Sequence, residues 1–194
     1  MHIHPPRDAS ALGIATVHED LALCDNLDIV QNMFLGRERR RLGVLDEAPM
    51  EEAARQTLAD LRVTTVRSIR QPVASLSGGQ CQSVAVARAV LWSSQLMILD
   101  EPTAALGVNQ TALVLSPVHR LAEQGCGVVI ISHSLNDVLA VADRIAVLHL
   151  GTMVAQGPAS QLDRQGVVEP MTTGTLDRAE PSTATAQINR SKGA

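Results

Sequence analysis

The chain has 194 residues, 45% of them hydrophobic, a net charge of −4, one Trp, one Phe and no Tyr. That is enough for one ordinary packed domain, whereas the acidic balance and the shortage of aromatic stacking platforms argue against a DNA or RNA partner. No segment approaches the ~20 apolar residues of a membrane-spanning helix, and Cys24, Cys81 and Cys126, odd in number and without a C-x-x-C spacing, read as free thiols of a cytosolic protein.

The N-terminal MHIHPPRD lacks the apolar stretch of a signal peptide, and His2 and His4 read as solvated terminal residues rather than metal ligands. From Gly13 to Val17 a short apolar run predicts a strand. The stretch LALCDNLDIVQNMFLG predicts a loop feeding a helix, with Asn26 or Asp28 as N-cap, and Arg37–Arg41 reads as a solvated turn. Between Asp46 and Leu61, Met50, Ala53, Ala54, Thr57, Leu58 and Leu61 recur at helical steps, and Pro49 suits the first turn. Pro117 is expected to interrupt a helix between Gln110 and Glu123. Continuous aliphatic runs at Leu96–Leu99, Val128–Ile131 and Ile145–Leu148 predict buried parallel strands of an α/β sheet. Beyond about Pro170 large apolar groups are scarce, and the segment to Ala194 is expected to be disordered.

Three short segments carry chemistry. Leu76-Ser77-Gly78-Gly79-Gln80 opens a helix, whose free N–H groups and positive dipole end suit an anion; a plain tight turn is the alternative. Leu96–Leu99 delivers Asp100 and Glu101 to a strand's C-terminal end, where ligands bind in open α/β sheets. Asp100 is placed to hold Mg²⁺ and Glu101 to orient or deprotonate an attacking water, against the alternative of a solvated acidic turn. His133 follows the strand GVVIIS, where it is either a phosphate contact or a structural histidine.

In this order, LSGGQ, an aliphatic strand ending in DEPT, and a strand ending in Ser132-His133 resemble the ATP-binding subunits of ABC transporters. The resemblance runs from about Gly13 to Gly157. It implies an α/β P-loop NTPase-like parallel sheet with an inserted helical subdomain. It also makes Ser77–Gln80 the signature that meets ATP across a dimer interface, Asp100 and Glu101 the Walker B pair and His133 the switch histidine. DLALCDNLDIVQNMFLGRE and TAALGV are similar to the ribose- and xylose-type monosaccharide importers, in which Gly at position 107 is a subgroup mark. The resemblance therefore implies ATP and Mg²⁺ as ligands and a permease, a second ATP-binding domain and a sugar-binding protein as partners. The implied location is cytoplasmic, on the inner face of the membrane.

The match has gaps. No G-x-x-x-x-G-K-[ST] occurs in the 194 residues, so the chain is expected to begin after the phosphate loop. The strand that leads into that loop is expected beside the one ending at Leu99. Glu19, in VHED, stands where the family has a Mg²⁺-sensing Gln, and Cys81 where a basic residue is common. The expected division is a core remnant at 1–20, a helical subdomain at 21–75, the signature and core at 76–169 and a tail at 170–194. The competing reading is a non-catalytic fragment that binds the permease; a chromosome- or translation-type ATPase fits poorly, with no sustained heptads before the signature.

Overall fold

The computed structural model describes residues 6–92, 95–104, 106–162 and 164–174. The chain divides into two compact units, Met1–Val141 and Ala142–Ala194.

The first unit is built on a three-stranded parallel sheet. Its strands are β1 (Ile14–Val17), β4 (Leu96–Asp100) and β5 (Gly127–Ile131), in the order β1-β4-β5. Around them run α1 (Pro6–Ala11), α2 (Ile29–Phe34), the small hairpin β2 (Arg40–Arg41) and β3 (Val44–Leu45), α3 (Glu47–Asp60), α4 (Gly78–Leu91), α5 (Val108–Glu123) and α6 (Leu135–Val141). Register pairs Ala15, Met97 and Val128 in one row and Val17, Leu99 and Ile130 in another. Because side chains alternate along a strand, these rows share one face, and Val17, Met97 and Leu99 on it are buried in the core with Ile29, Met33 and Phe34 of α2 and Val84–Ala87 of α4. Gly13 turns the chain into β1 at φ +74, and an added Cβ would stand 3.2 Å from Gln95, so both the backbone conformation and the space favour glycine there.

The region expected as a helical subdomain packs into the same core. Asp28, one of the two anticipated caps, caps α2: Gln31 N–H donates to its carboxylate at 2.7 Å, and Gln31 Oε1 accepts the Asp28 N–H at 3.1 Å. α3 buries Met50, Ala54 and Leu58, the predicted stripe. Arg70 ties the two helices by pairing with Asp28 of the cap and with Glu47 and Glu51 of α3. Hydrogen bonds to Asp28 and Glu51 hold its guanidinium firmly charged.

Several expectations are corrected. The β5 run is not buried throughout: it alternates, with Val129 45% and Ile131 51% exposed on the face away from the helices. The strand ending at Leu99 has no vacant side, since β1 and β5 flank it, and the free edges of the sheet belong to β1 and β5. Pro117 does not break its helix: α5 is continuous and Pro117 is buried within it. The carbonyl of Leu113, which loses its helical donor at Pro117, lies 3.5 Å from the Ser83 hydroxyl of α4. The Arg37–Arg41 cluster is more than a solvated turn. The Arg37 guanidinium lies 5.0 Å over Trp92 and that of Arg39 5.6 Å over Phe34, and Arg40 and Arg41 pair with Leu45 and Val44.

The second unit holds β6 (Arg144–His149), β7 (Thr152–Pro158) and α7 (Arg164–Thr173). The third aliphatic run was expected as a buried parallel strand. It is instead half of an antiparallel hairpin, β6 with β7, and only its alternate residues Ile145 and Val147 are buried. A one-sided strand of this kind is what an antiparallel pair permits. The segment expected to be disordered from Pro170 is helical as far as Thr173; its remainder, 175–194, lies outside the described residues, as do His2 and His4.

Two predictions follow from these contacts. Asp28→Ala removes the cap and one Arg70 partner, and should lower unfolding free energy by about 1 kcal/mol for the cap alone; denaturant unfolding with an unchanged midpoint would refute it. The β5 face with Val129 and Ile131 should drive self-association. Sedimentation should show concentration-dependent oligomers that Ile131→Lys reduces, and a parent chain monomeric at all concentrations would contradict this.

Candidate functional site

Parallel strands release their C-terminal ends on one side of a sheet, and here β4 and β5 release the acidic pair and the histidine side by side. Asp100 ends β4 in register with Ile131, the last residue of β5. Glu101 then turns into the left-handed region at φ 46, an unusual conformation for a non-glycine residue. Its N–H still donates to Ile131 O at 2.9 Å, which extends the ladder by one bond. The turn aims the carboxylate at the neighbouring strand end. Glu101 Oε1 accepts the His133 N–H at 3.0 Å, and Oε2 lies 2.8 Å from His133 Nδ1.

This contact holds one group inside and one out: the Glu101 side chain is 21% exposed and that of His133 76%. Hydrogen bonding of its side chain to the Glu101 carboxylate raises the pKa of His133 above its ordinary 6.5, and the charges of Glu101 and Glu19 add to the effect. Glu19, exposed just beyond β1, therefore belongs to the same electrostatic neighbourhood. Asp100 is half-buried at the strand end. Thr103, buried in the turn after Glu101, donates its hydroxyl to Asp137 of α6 at 2.7 Å. That bond joins the Glu101 turn to the segment following His133. The sequence reading missed it, because thirty-odd residues separate the partners and no spacing rule connects them.

The signature segment forms a second, separate feature. Ser77 is the N-cap of α4, and Gln80 reaches back so that its Oε1 accepts the Ser77 N–H at 2.8 Å while its Nε2 donates to Thr65 O at 2.6 Å. The amide of Gln80 is thus spent inside the chain on shaping the turn. Ser77 and Gly78 are exposed; Gly79 is buried. A Cβ on Gly79 would come within 3.1 Å of Gln110 on α5, and one on Gly78 within 3.2 Å of Leu106. The glycine pair therefore permits close packing of α4 on α5 as well as an open helix start. Among the described residues, the hydrogen bonds of Ser77 and Gln80 stay within this turn and reach Thr65, and none runs to Glu101 or His133.

No group of three or more His, Cys, Asp or Glu side chains able to hold a metal occurs among the described residues. The oxygen donors at the strand ends, Asp100 foremost, fit a hard cation that takes one or two carboxylates and completes its shell from water and substrate phosphates. Cys24, Cys81 and Cys126 are free thiols. Burial raises the pKa of Cys81 and Cys126, which disfavours the thiolate. No helix among the described residues is long and apolar enough to cross a membrane.

Residues 3–104 match the family model described as ABC transporter. The chain is 46% identical over 153 residues to the fructose import ATP-binding protein FrcA of Rhizobium meliloti, covering 75% of this chain and 59% of that one. It is 39% identical over 173 residues to the xylose/arabinose import ATP-binding protein XylG of Sulfolobus acidocaldarius, covering 89% of this chain and 68% of that one. The chain thus spans roughly three-fifths to two-thirds of the length of these relatives. The crystal structure of MJ1267, an ATP-binding cassette of an ABC transporter, in its ADP conformation superposes with a TM-score of 0.71 at 23% identity, covering 86% of this chain and 70% of that one. That likeness shows the same α/β cassette fold. With half of the chain inside the family model and two-thirds of XylG matched, the chain belongs to the ABC transporter family of ATP-binding domains.

Proposed function

We propose that this chain carries the carboxylate and signature portion of an ATP-hydrolysing subunit that powers uptake of a monosaccharide. The observation that carries the reading is the Glu101–His133 junction at the C-terminal ends of β4 and β5, with Asp100 beside it. In this reading Glu101 orients a water and takes its proton as the water attacks the terminal phosphate. His133, held by Glu101 and with its pKa raised by that contact, stabilises the charge that accumulates on the transferring group when it is protonated. Asp100 would hold Mg²⁺, which would supply positive charge beside the phosphates. Glu19 completes the acidic neighbourhood as the sensor of that ion.

The free edge of β5 supports the remaining assignment. A strand bearing a phosphate loop would pair with that edge, with its loop next to His133. Ser77, Gly78 and Gly79 are read as facing ATP held by a second ATP-binding domain, and Gln80 as holding that turn in shape. An open cleft of about 420 Å³ beside β1, lined by Val17, His18, Met33, Leu35, Arg37 and Trp92 among others, is the surface we assign to the membrane permease. A subunit so placed works on the cytoplasmic face of the membrane and serves a sugar-binding protein indirectly. The relatives' fructose and xylose import names support a monosaccharide cargo.

Two measurements test this. The 194 residues contain no G-x-x-x-x-G-K-[ST], so the chain should be combined with the N-terminal piece of a FrcA-type relative that carries one. ATP turnover should then appear, and Glu101→Gln should lower it by about 10²–10⁴-fold while ATP binding persists. Turnover unaffected by Glu101→Gln would overturn the assignment; ATP-independent binding to a permease without any turnover would favour a docking role without hydrolysis. Independently, the His133 imidazole should titrate above 6.5 by NMR, and Glu101→Gln should return it to the ordinary range. Because folding favours the imidazolium, the pair stabilises the chain below the unfolded pKa, and this contribution disappears as pH rises through the higher folded value. An unshifted titration in the parent chain would show that the pair does not persist in solution.

A further inference from the structure

Arg88 lies in the last turn of α4, half-buried, about three helical turns from Ser77. Its guanidinium donates to two backbone carbonyls in the segment just after Glu19: Nη1 to Ala22 O at 2.8 Å and Nη2 to Leu21 O at 2.7 Å. No carboxylate pairs with it among the described residues. Burial works against its charge, so the two carbonyls are what compensates. Those carbonyls are presented by an unusual turn. Ala22 sits in the left-handed region at φ 48, and its N–H donates to the Asp20 carboxylate at 3.2 Å.

The same loop is bonded elsewhere to the signature region and to α2. Val73 N–H donates to Leu27 O and Ala74 N–H to Asp25 O, just ahead of Leu76–Gln80. Asn32 of α2, fully buried, accepts the Cys24 N–H at 2.7 Å and donates to the carbonyls of Cys24, Leu27 and Asp28. The far part of the loop is therefore fixed by backbone and amide bonds. Its near part, next to Glu19, packs Leu21 and Leu23 against the core, and its hydrogen bonds to α4, the helix that begins at the signature, come from the Arg88 guanidinium.

We infer that Arg88 is a positioning residue: its two-pronged bond to Leu21 and Ala22 makes the loop carrying Glu19 and the signature helix α4 move as one body. A shift of α4 that re-aims Ser77 would then carry Glu19 with it, and a displacement of the loop would reach Ser77. The planar fork matters, because two carbonyls on adjacent residues need two fixed donors and a lysine ammonium supplies only a point charge. This rests on the reading of Glu19 as the ion sensor.

Hydrogen exchange on the 194-residue chain tests it with Arg88→Met, which keeps the apolar stem but removes both donors, and with Arg88→Lys. In Arg88→Met the amides of Leu21–Cys24 should exchange about tenfold faster while Val84–Ala87 of α4 stay protected; Arg88→Lys should show a smaller change confined to the same loop. Loop exchange unchanged in either variant would overturn the inference. So would equal loss of protection in loop and helix, which would mark Arg88 as a support of general stability. If Arg88→Met does not fold, Arg88→Lys decides alone: loop-only loosening supports the tie and parent-like exchange overturns it. Nucleotide added to the complemented protein separates the two readings, because an unresponsive Glu19 amide beside a loosened Arg88→Met loop refutes only the sensor role.

Discussion

The candidate site depends on one constraint: β4 lies between β1 and β5 in a parallel ladder. Parallel pairing sends every strand's C-terminal end the same way, so Asp100, Glu101, His133 and the Glu19 segment emerge on one side without any side chain having to reach far. The register fixes the detail. Asp100 opposite Ile131 puts Glu101 and His133 at the same height, and the left-handed turn at Glu101 converts that adjacency into one backbone hydrogen bond and one close carboxylate–imidazole contact. Conformations of this kind cost free energy and persist where the surroundings over-determine them. Here the surroundings are the Ile131 carbonyl, the His133 backbone and the Thr103–Asp137 bond.

Much of this was legible in the sequence, for a physical reason. Local signals are strong where one residue's chemistry decides the conformation: the capping carboxylate of Asp28, the helical stripe of α3, the glycine pair opening α4. The signature, the acidic strand end and the Ser-His strand end could also be recognised, because each sits on a strand end or helix start that its own neighbours define. What escaped depends on partners far along the chain. Whether an aliphatic run is covered on one face or two is set by other elements, so the composition of β5 predicts burial and the strand is half exposed. The run at Ile145 predicts a parallel strand and pairs antiparallel with its successor. Pro117 predicts a break in α5, and the helix continues through it with Ser83 of another helix lying against the carbonyl left without a donor.

The acidic and basic residues divide between two tasks. Arg70 gathers Asp28, Glu47 and Glu51 and binds α2 to α3, far in sequence from the strand ends. Such a network is partly solvated, and its worth lies more in fixing geometry than in net stability. The carboxylates at the strand ends are treated differently. Glu101 is drawn in and paired, whereas Glu19 stays exposed, so one is held in place and the other is free to respond to what binds nearby.

The signature region shows how one segment meets structural and functional demands together. A Cβ on Gly79 would crowd Gln110 of α5 at 3.1 Å, so glycine lets the two helices pack closely there, and a Cβ on Gly78 would meet only the tip of the Leu106 side chain at 3.2 Å. Gln80 spends its amide on the turn and on Thr65. Only Ser77 and the exposed start of α4 are left to face outward. A helix start so tightly braced from behind offers its free N–H groups at a fixed position, and any displacement of it must involve the whole of α4. At the other end of that helix Arg88 grips the loop after Glu19. In the proposed function the signature turn faces ATP and the Glu19 loop senses the ion, and the two are attached to opposite ends of α4, which gives a physical route for one to report on the other.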